Sequence, residues 1–304
     1  MRETRKVTRR QALAAGAFGA AILPRLGRAA EADAPAQLKG RIRQSASKWC
    51  YGGISLPDLC AFGKKIGLQA IDLLGPGDFK TLKEHGLACS MVSCNSIPKG
   101  FNRTENHEEL IRNLRPAIEA TSAAGFPNVI CFSGNNQGMA KDEGLKNCAE
   151  GLKKIVGFAE EKKVVLCMEY LNSKGHKDYM CDDSKWAFDL VKAVGSPNFK
   201  ILYDIYHVAE MEAKIVEENG KRVAQHNIGQ LIRDNIDAIG HFHTGGYPGR
   251  NDLDATQLLD WPALMKVIVE TGYKGYVAHE FVPKAKEPAG KLAALKQAVE
   301  LCDV

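Results

Sequence analysis

Four residues able to grip a divalent cation recur through the second half of this 304-residue sequence: Glu169, Asp204, His243 and Glu280. They are 35, 39 and 37 residues apart. Each closes a mostly apolar run: Leu166-Cys167-Met168-Glu169, Ile201-Leu202-Tyr203-Asp204, His241-Phe242-His243 and Val277-Ala278-His279-Glu280. A lone acid at such a position commonly serves as a helix cap or an ion-pair partner. Three acids gathered in apolar surroundings are costly unless a cation compensates them. Three carboxylates and one imidazole suit Mn²⁺, Mg²⁺ or Co²⁺, with water or substrate completing an octahedron, and favour zinc less.

The elements that must position these residues follow from the pattern around them. Apolar runs at 42–51, 70–74, 87–94, 128–133, 164–170, 199–204, 238–243 and 275–281 read as strands. Helical periodicity fills most of the intervals, at 58–66, 108–125, 144–162, 184–194, 228–237 and 262–271. The beat is βα repeated eight times, which predicts an α/β fold, a (β/α)₈ TIM barrel forming a single domain over 35–304. No GxGxxG follows the first strand and no GxxxxGK[ST] occurs, so a doubly wound nucleotide fold and an organic cofactor are not expected. In such a barrel, catalytic side chains come from the carboxyl ends of strands and the loops after them, where the four candidates fall.

Charge divides the chain in two. Seven basic residues and one acid within 1–30 carry +6, which leaves −1 on residues 31–304 of a formal total of +5. The body therefore lacks the basic surface that nucleic acid wants. Residues 1–34 have a basic start, an Ala/Gly-rich apolar stretch and a small-residue processing region, the layout of an export signal. Thr8-Arg9-Arg10-Gln11-Ala12-Leu13 resembles a twin-arginine signal, which predicts a periplasmic or exported protein that folds before it crosses. The apolar stretch is too short to span a bilayer, and no stable membrane association is expected. The nine cysteines form no CxxC pair, and most are expected to be buried thiols.

The strand ends Met168-Glu169-Tyr170-Leu171-Asn172, Tyr203-Asp204-Ile205-Tyr206-His207, Gly240-His241-Phe242-His243-Thr244 and His279-Glu280-Phe281 resemble those of the xylose isomerase-like TIM barrels. The hydroxypyruvate isomerase and ketose 3-epimerase branch is the nearest in pattern, and Gly245-Gly246-Tyr247-Pro248-Gly249-Arg250 looks like a hydroxypyruvate isomerase loop. The resemblance spans about 40–283 and implies that Glu169, Asp204, His243 and Glu280 bind the metal. It implies further that Glu169 and Glu280 transfer a proton through a cis-enediolate of a small hydroxy-carbonyl or sugar substrate. His207 matches a residue that contacts substrate oxygen, and Arg250 would pair with a carboxylate or hydroxyl of the substrate. Asn172 and Lys174 are either substrate contacts or a solvated loop. Trp49 either walls the pocket or is a core aromatic. His241 falls on the face of His243 but one step deeper, and His279 points away from Glu280 toward the helices.

The resemblance implies a hydroxypyruvate isomerase-like activity, yet His243 stands where such isomerases commonly carry glutamine, the epimerase-like choice. A ketose 3-epimerase, a sugar-ketone dehydratase and a non-catalytic sugar-binding barrel are the alternatives. An apurinic endonuclease of this scaffold would want more histidines and a basic groove. A homo-oligomer is compatible with all of these readings.

Overall fold

The computed structural model describes residues 38–304. The export signal expected over 1–34 lies outside the described residues. Among the described residues ten strands appear in chain order: β1 Arg43–Ser47, β2 Ala70–Asp72, β3 Ala88–Cys89, β4 Asn128–Cys131, β5 Val165–Glu169, β6 Phe199–Asp204, β7 Lys214–Glu218, β8 Lys221–Gln225, β9 Ile239–Thr244 and β10 Tyr276–His279. Eight of them form one parallel sheet in the order β3-β2-β1-β10-β9-β6-β5-β4. Val92, just past β3, closes the ring: its amide donates to the Asn128 carbonyl and its carbonyl accepts from Ile130, both at 2.9 Å. The eight barrel strands are those the alternation of apolar runs predicts, in mostly shorter form.

Among the described residues nine α-helices surround the sheet: α1 Leu56–Lys65, α2 Phe79–Glu84, α3 His107–Ala124, α4 Lys141–Glu161, α5 Ser184–Val194, α6 Ile205–Glu212, α7 Ile228–Asn235, α8 Trp261–Glu270 and α9 Pro288–Cys302. The starts of α1, α5, α6 and α8 are set by short polar side chains that accept otherwise unpaired backbone N–H groups. Ser55 accepts from Asp58, Asp183 from Trp186, and Asp260 from Ala263. The helix expected over 184–194 appears with those ends and the other five with shifted ones, whereas α2, α6 and α9 go beyond that reading. So does the β7–β8 hairpin, an exposed antiparallel pair turning at Asn219-Gly220, both in the left-handed region.

The register carries the candidate residues to one end of the barrel. β6 pairs with β9 through a bulge: Ile201 faces Ile239, but Leu202 faces His241, so Gly240 is the extra residue. Beyond the bulge, Asp204 lies directly beside His243. His243 is also in register with Ala278, and the Glu280 amide donates to the Thr244 carbonyl at 2.9 Å. The described cysteines are all unpaired, eight buried and Cys94 half-buried, as apolar fillers of this core.

Candidate metal-binding active site

Glu169 ends β5, Asp204 ends β6, His243 lies one residue before the end of β9, and Glu280 directly follows β10. All four are buried, and one donor atom from each lies within 4.8 Å of the others. His243 Nδ1 stands 2.7 Å from Glu280 Oε2, and 3.7 Å from both Glu169 Oε1 and Asp204 Oδ2. That nitrogen is buried and makes no properly directed hydrogen bond. An imidazole nitrogen aimed without a partner into three carboxylates fits a hard divalent cation.

The two glutamates sit in different surroundings. Glu280 Oε1 accepts from Trp49 Nε1 at 2.6 Å, and its Oε2 accepts from Arg250 Nη2 at 2.5 Å. Although burial works against the charge, Arg250 and His243 hold the Glu280 carboxyl well below its ordinary range. The Glu169 carboxylate accepts no hydrogen bond among the described residues. Its burial, and then the charge of Glu280, push its pKa well above the ordinary value. Neighbouring acids driven apart in this way are the arrangement proton transfer uses.

Asp204 uses its two oxygens separately. Oδ1 caps α6, accepting from the Tyr206 and His207 amides at 2.9 and 3.2 Å. Oδ2 faces the centre, 3.3 Å from Arg250 Nη2 and 3.5 Å from His207 Nε2. His207 is thus buried on the first turn of α6, and burial pushes its pKa down to about 3, leaving a neutral ring. Its Nδ1 accepts from the Asn172 backbone amide at 3.2 Å. The Asn172 side chain lies 2.5 Å from the same nitrogen and accepts from Gly175 N at 2.5 Å. Asn172 therefore orients His207 and its own loop. Lys174 donates to the Glu210 carbonyl on the protein's exterior.

Arg250 reaches inward from the loop after β9, with its guanidinium 5.3 Å from the Trp49 ring centre and 5.5 Å from that of Tyr206. Gly246 lets that loop fold back, since a Cβ there would come within 2.6 Å of the Asp252 carbonyl oxygen. Trp49 is 49% exposed and lines a cavity of about 570 Å³ with Glu169, Glu280, Arg250 and His176. It is a pocket wall and not a core aromatic. The rest of the wall comes from Leu73, from Ser93 and 95–98, and from Ile130 and Phe132.

His241 and His279 divide as their alternation predicts. His279 lies between Thr244 Oγ1 at 3.0 Å and Gln44 Oε1 at 2.8 Å. Gln44 in turn donates to the Val299 carbonyl of α9, so His279 faces the helices. His241 lies beneath His243, its Nε2 3.1 Å from Asp72 Oδ1. The sequence reading did not single out Asp72 or His176. His176 follows Asn172 on the loop over the pocket, with its ring centre 5.3 Å from that of His207.

Fold and centre together define a (β/α)₈ barrel with a buried acid–histidine group that could hold a cation at the carboxyl end of its strands. The chain belongs to the xylose isomerase-like TIM barrel family, whose family model matches residues 79–300. Hydroxypyruvate isomerase of Escherichia coli K12 is 25% identical over 239 residues, covering 74% of this chain and 87% of that protein. The 2-oxo-tetronate isomerase of Cupriavidus necator is 25% identical over 141 residues, 46% of this chain and 49% of that protein. Among solved structures, AP endonuclease, family 2, from Brucella melitensis superposes with a TM-score of 0.69 at 20% identity, over 82% of this chain and 96% of that one.

Proposed function

We propose that the protein is a cation-dependent isomerase of a small hydroxy-carbonyl compound, hydroxypyruvate isomerase-like, working by proton transfer between Glu169 and Glu280. The single observation that carries this reading is the placement of two unlike glutamates, both lining the cavity, beside one buried, unpartnered imidazole nitrogen. Glu169, Asp204, His243 and Glu280 would hold the cation, with Mn²⁺, Mg²⁺ or Co²⁺ suited to the donor set. When bound, that ion supplies Lewis acidity toward a carbonyl oxygen. Of the two glutamates, one takes the proton from substrate carbon and the same or the other one returns it. The Glu169 carboxylate accepts no hydrogen bond among the described residues, and that of Glu280 is held by Trp49 and Arg250. Arg250 presents two-pronged donors to a substrate carboxylate or hydroxyl, and neutral His207 presents Nε2 to a substrate oxygen.

His243 at the third position favours a second reading, ketose 3-epimerisation, in which the proton returns to the opposite face of the same carbon. Both outcomes share one test, the incorporation of solvent deuterium into a panel of small ketoses and hydroxy-keto acids. Chelation should abolish exchange, and Mn²⁺, Co²⁺ or Mg²⁺ should restore it. Glu169→Gln and Glu280→Gln should each lower turnover by ~10²–10⁴-fold, the usual contribution of a general acid or base. Asp204→Asn should be partly rescued by excess Mn²⁺. A glutamine variant that exchanges and converts substrate at the parent's rate would overturn the two-base mechanism.

A further inference from the structure

The four candidate ligands come from β5, β6, β9 and β10, yet the imidazole among them is held from the other half of the barrel. Asp72, at the end of β2, is fully buried. Its Oδ2 accepts from His243 Nε2 at 2.9 Å and from Ser47 Oγ at 3.3 Å. Its Oδ1 accepts from Ser90 Oγ at 2.5 Å, and Ser90 Oγ lies 2.9 Å from Ser45 Oγ. The carboxylate is thus surrounded by donors.

The Ser47 and Ser90 hydroxyls and both histidines converge on the two Asp72 oxygens, which makes Asp72 the acceptor of the cluster and puts the hydrogen shared with His243 on Nε2. With a cation bound, an imidazole that keeps its hydrogen on Nε2 is bare at Nδ1, the nitrogen that faces Glu169, Asp204 and Glu280. We propose that Asp72 is a positioning residue for the cation: it selects the tautomer and the tilt of His243 and so sets the affinity of the centre. Through it, β1, β2 and β3, which contribute no ligand, anchor a ligand on β9. This inference rests on the cation-centre reading above. It adds that the affinity resides partly in a residue that never touches the ion.

The experiment titrates Mn²⁺ into the parent, Asp72→Asn and Asp72→Ala by calorimetry, with the rise in melting temperature on metal addition as a second readout. Loss of a partner behind a metal-binding histidine typically weakens affinity by ~10–100-fold, so Asp72→Ala should fall by that much. Asp72→Asn retains an acceptor but no charge and should fall between the two. A merely structural residue would lower the melting temperature equally with and without metal. A positioning residue shrinks the metal-induced rise itself. Should Asp72→Ala fail to fold, Asp72→Asn carries the titration. The ¹⁵N spectrum of histidine-labelled, Mg²⁺-loaded parent should show His243 protonated at Nε2. Unchanged affinity in the variants, or a loaded His243 protonated at Nδ1, would overturn the proposal while leaving the centre standing. A second ion lost from the Asp72–His241–His243 group, with the first held as tightly as before, would also overturn it. A parent that binds no cation would overturn the centre itself.

Discussion

Burial lowers the pKa of His207, His241 and His279, whereas the acids around His243 raise its own, and His279 turns burial into a dependence on pH. Both ring nitrogens are engaged, with Thr244 and Gln44, and burial lowers its pKa from 6.5 to about 3. Below pH 6.5 the unfolded chain takes up a proton that the folded chain refuses until about pH 3. The depressed folded pKa therefore gives stability that is present above 6.5 and lost as pH falls toward 3. The loss should approach about 1.4 kcal/mol per pH unit. Urea unfolding of parent and His279→Gln from pH 7 to 4 should show the variant's deficit shrinking at that slope, and a constant deficit would remove His279 from the account. At this scale the four candidate ligands were legible because each ends an apolar run. Asp72 obeys the same rule but is followed by Leu73-Leu74, which hides the strand end. The chain leaves the strand there through a left-handed Leu73, with φ of 55°, and hydrophobicity does not record a dihedral angle.

Elements announced themselves where a loop separates them and were lost where none does. α6 begins directly after β6, because Asp204 ends the strand and caps the helix with the same carboxylate. An apolar run that passes from period two to period 3.6 without punctuation hides that boundary. The β7–β8 hairpin carried its Asn219-Gly220 signal, yet its strands are short and exposed and gave no alternation toward a core. Close backbone contact leaves even less trace. A Cβ on Gly100 would lie 2.0 Å from the Gly134 nitrogen and 2.1 Å from the Ser133 carbonyl carbon. The two segments are joined there by Phe101 N to Phe132 O at 3.1 Å and Asn102 N to Ser133 O at 3.0 Å. Gly100→Ala should push them apart and break both bonds, costing about 2–6 kcal/mol at ~1–3 for the buried group each bond leaves unpaired. An unchanged urea midpoint would show that the segments part freely.

The molecule's charge and thiols bear on where it works. Among the described residues no helix is long and apolar enough to cross a membrane. We propose that 1–34 direct export of a folded body, with Arg9-Arg10 as the recognition pair. Arg9→Lys with Arg10→Lys should leave the protein in the cytoplasm while the parent reaches the periplasm. Equal fractionation of the two would refute this. Folding first suits the thiols: burial raises Cys60 to about 11 and Cys94 to about 12, which leaves little thiolate for an oxidant. The near-neutral body, at −1, also favours a small substrate over nucleic acid, although the scaffold is shared with an AP endonuclease.

The closure at Val92 divides the labour of the pocket. On that side the ring is held by the backbone of one residue and by the Asn128 side chain, which donates to the Ser90 carbonyl at 2.9 Å. The wall it supports, 93–98, carries none of the candidate ligands, whereas the opposite wall carries Glu169, Arg250 and Glu280. Shape and charge are thus written in separate stretches of chain. Substitutions within 93–98 would re-tailor one wall of the cavity and leave Glu169, Arg250 and Glu280 as they are.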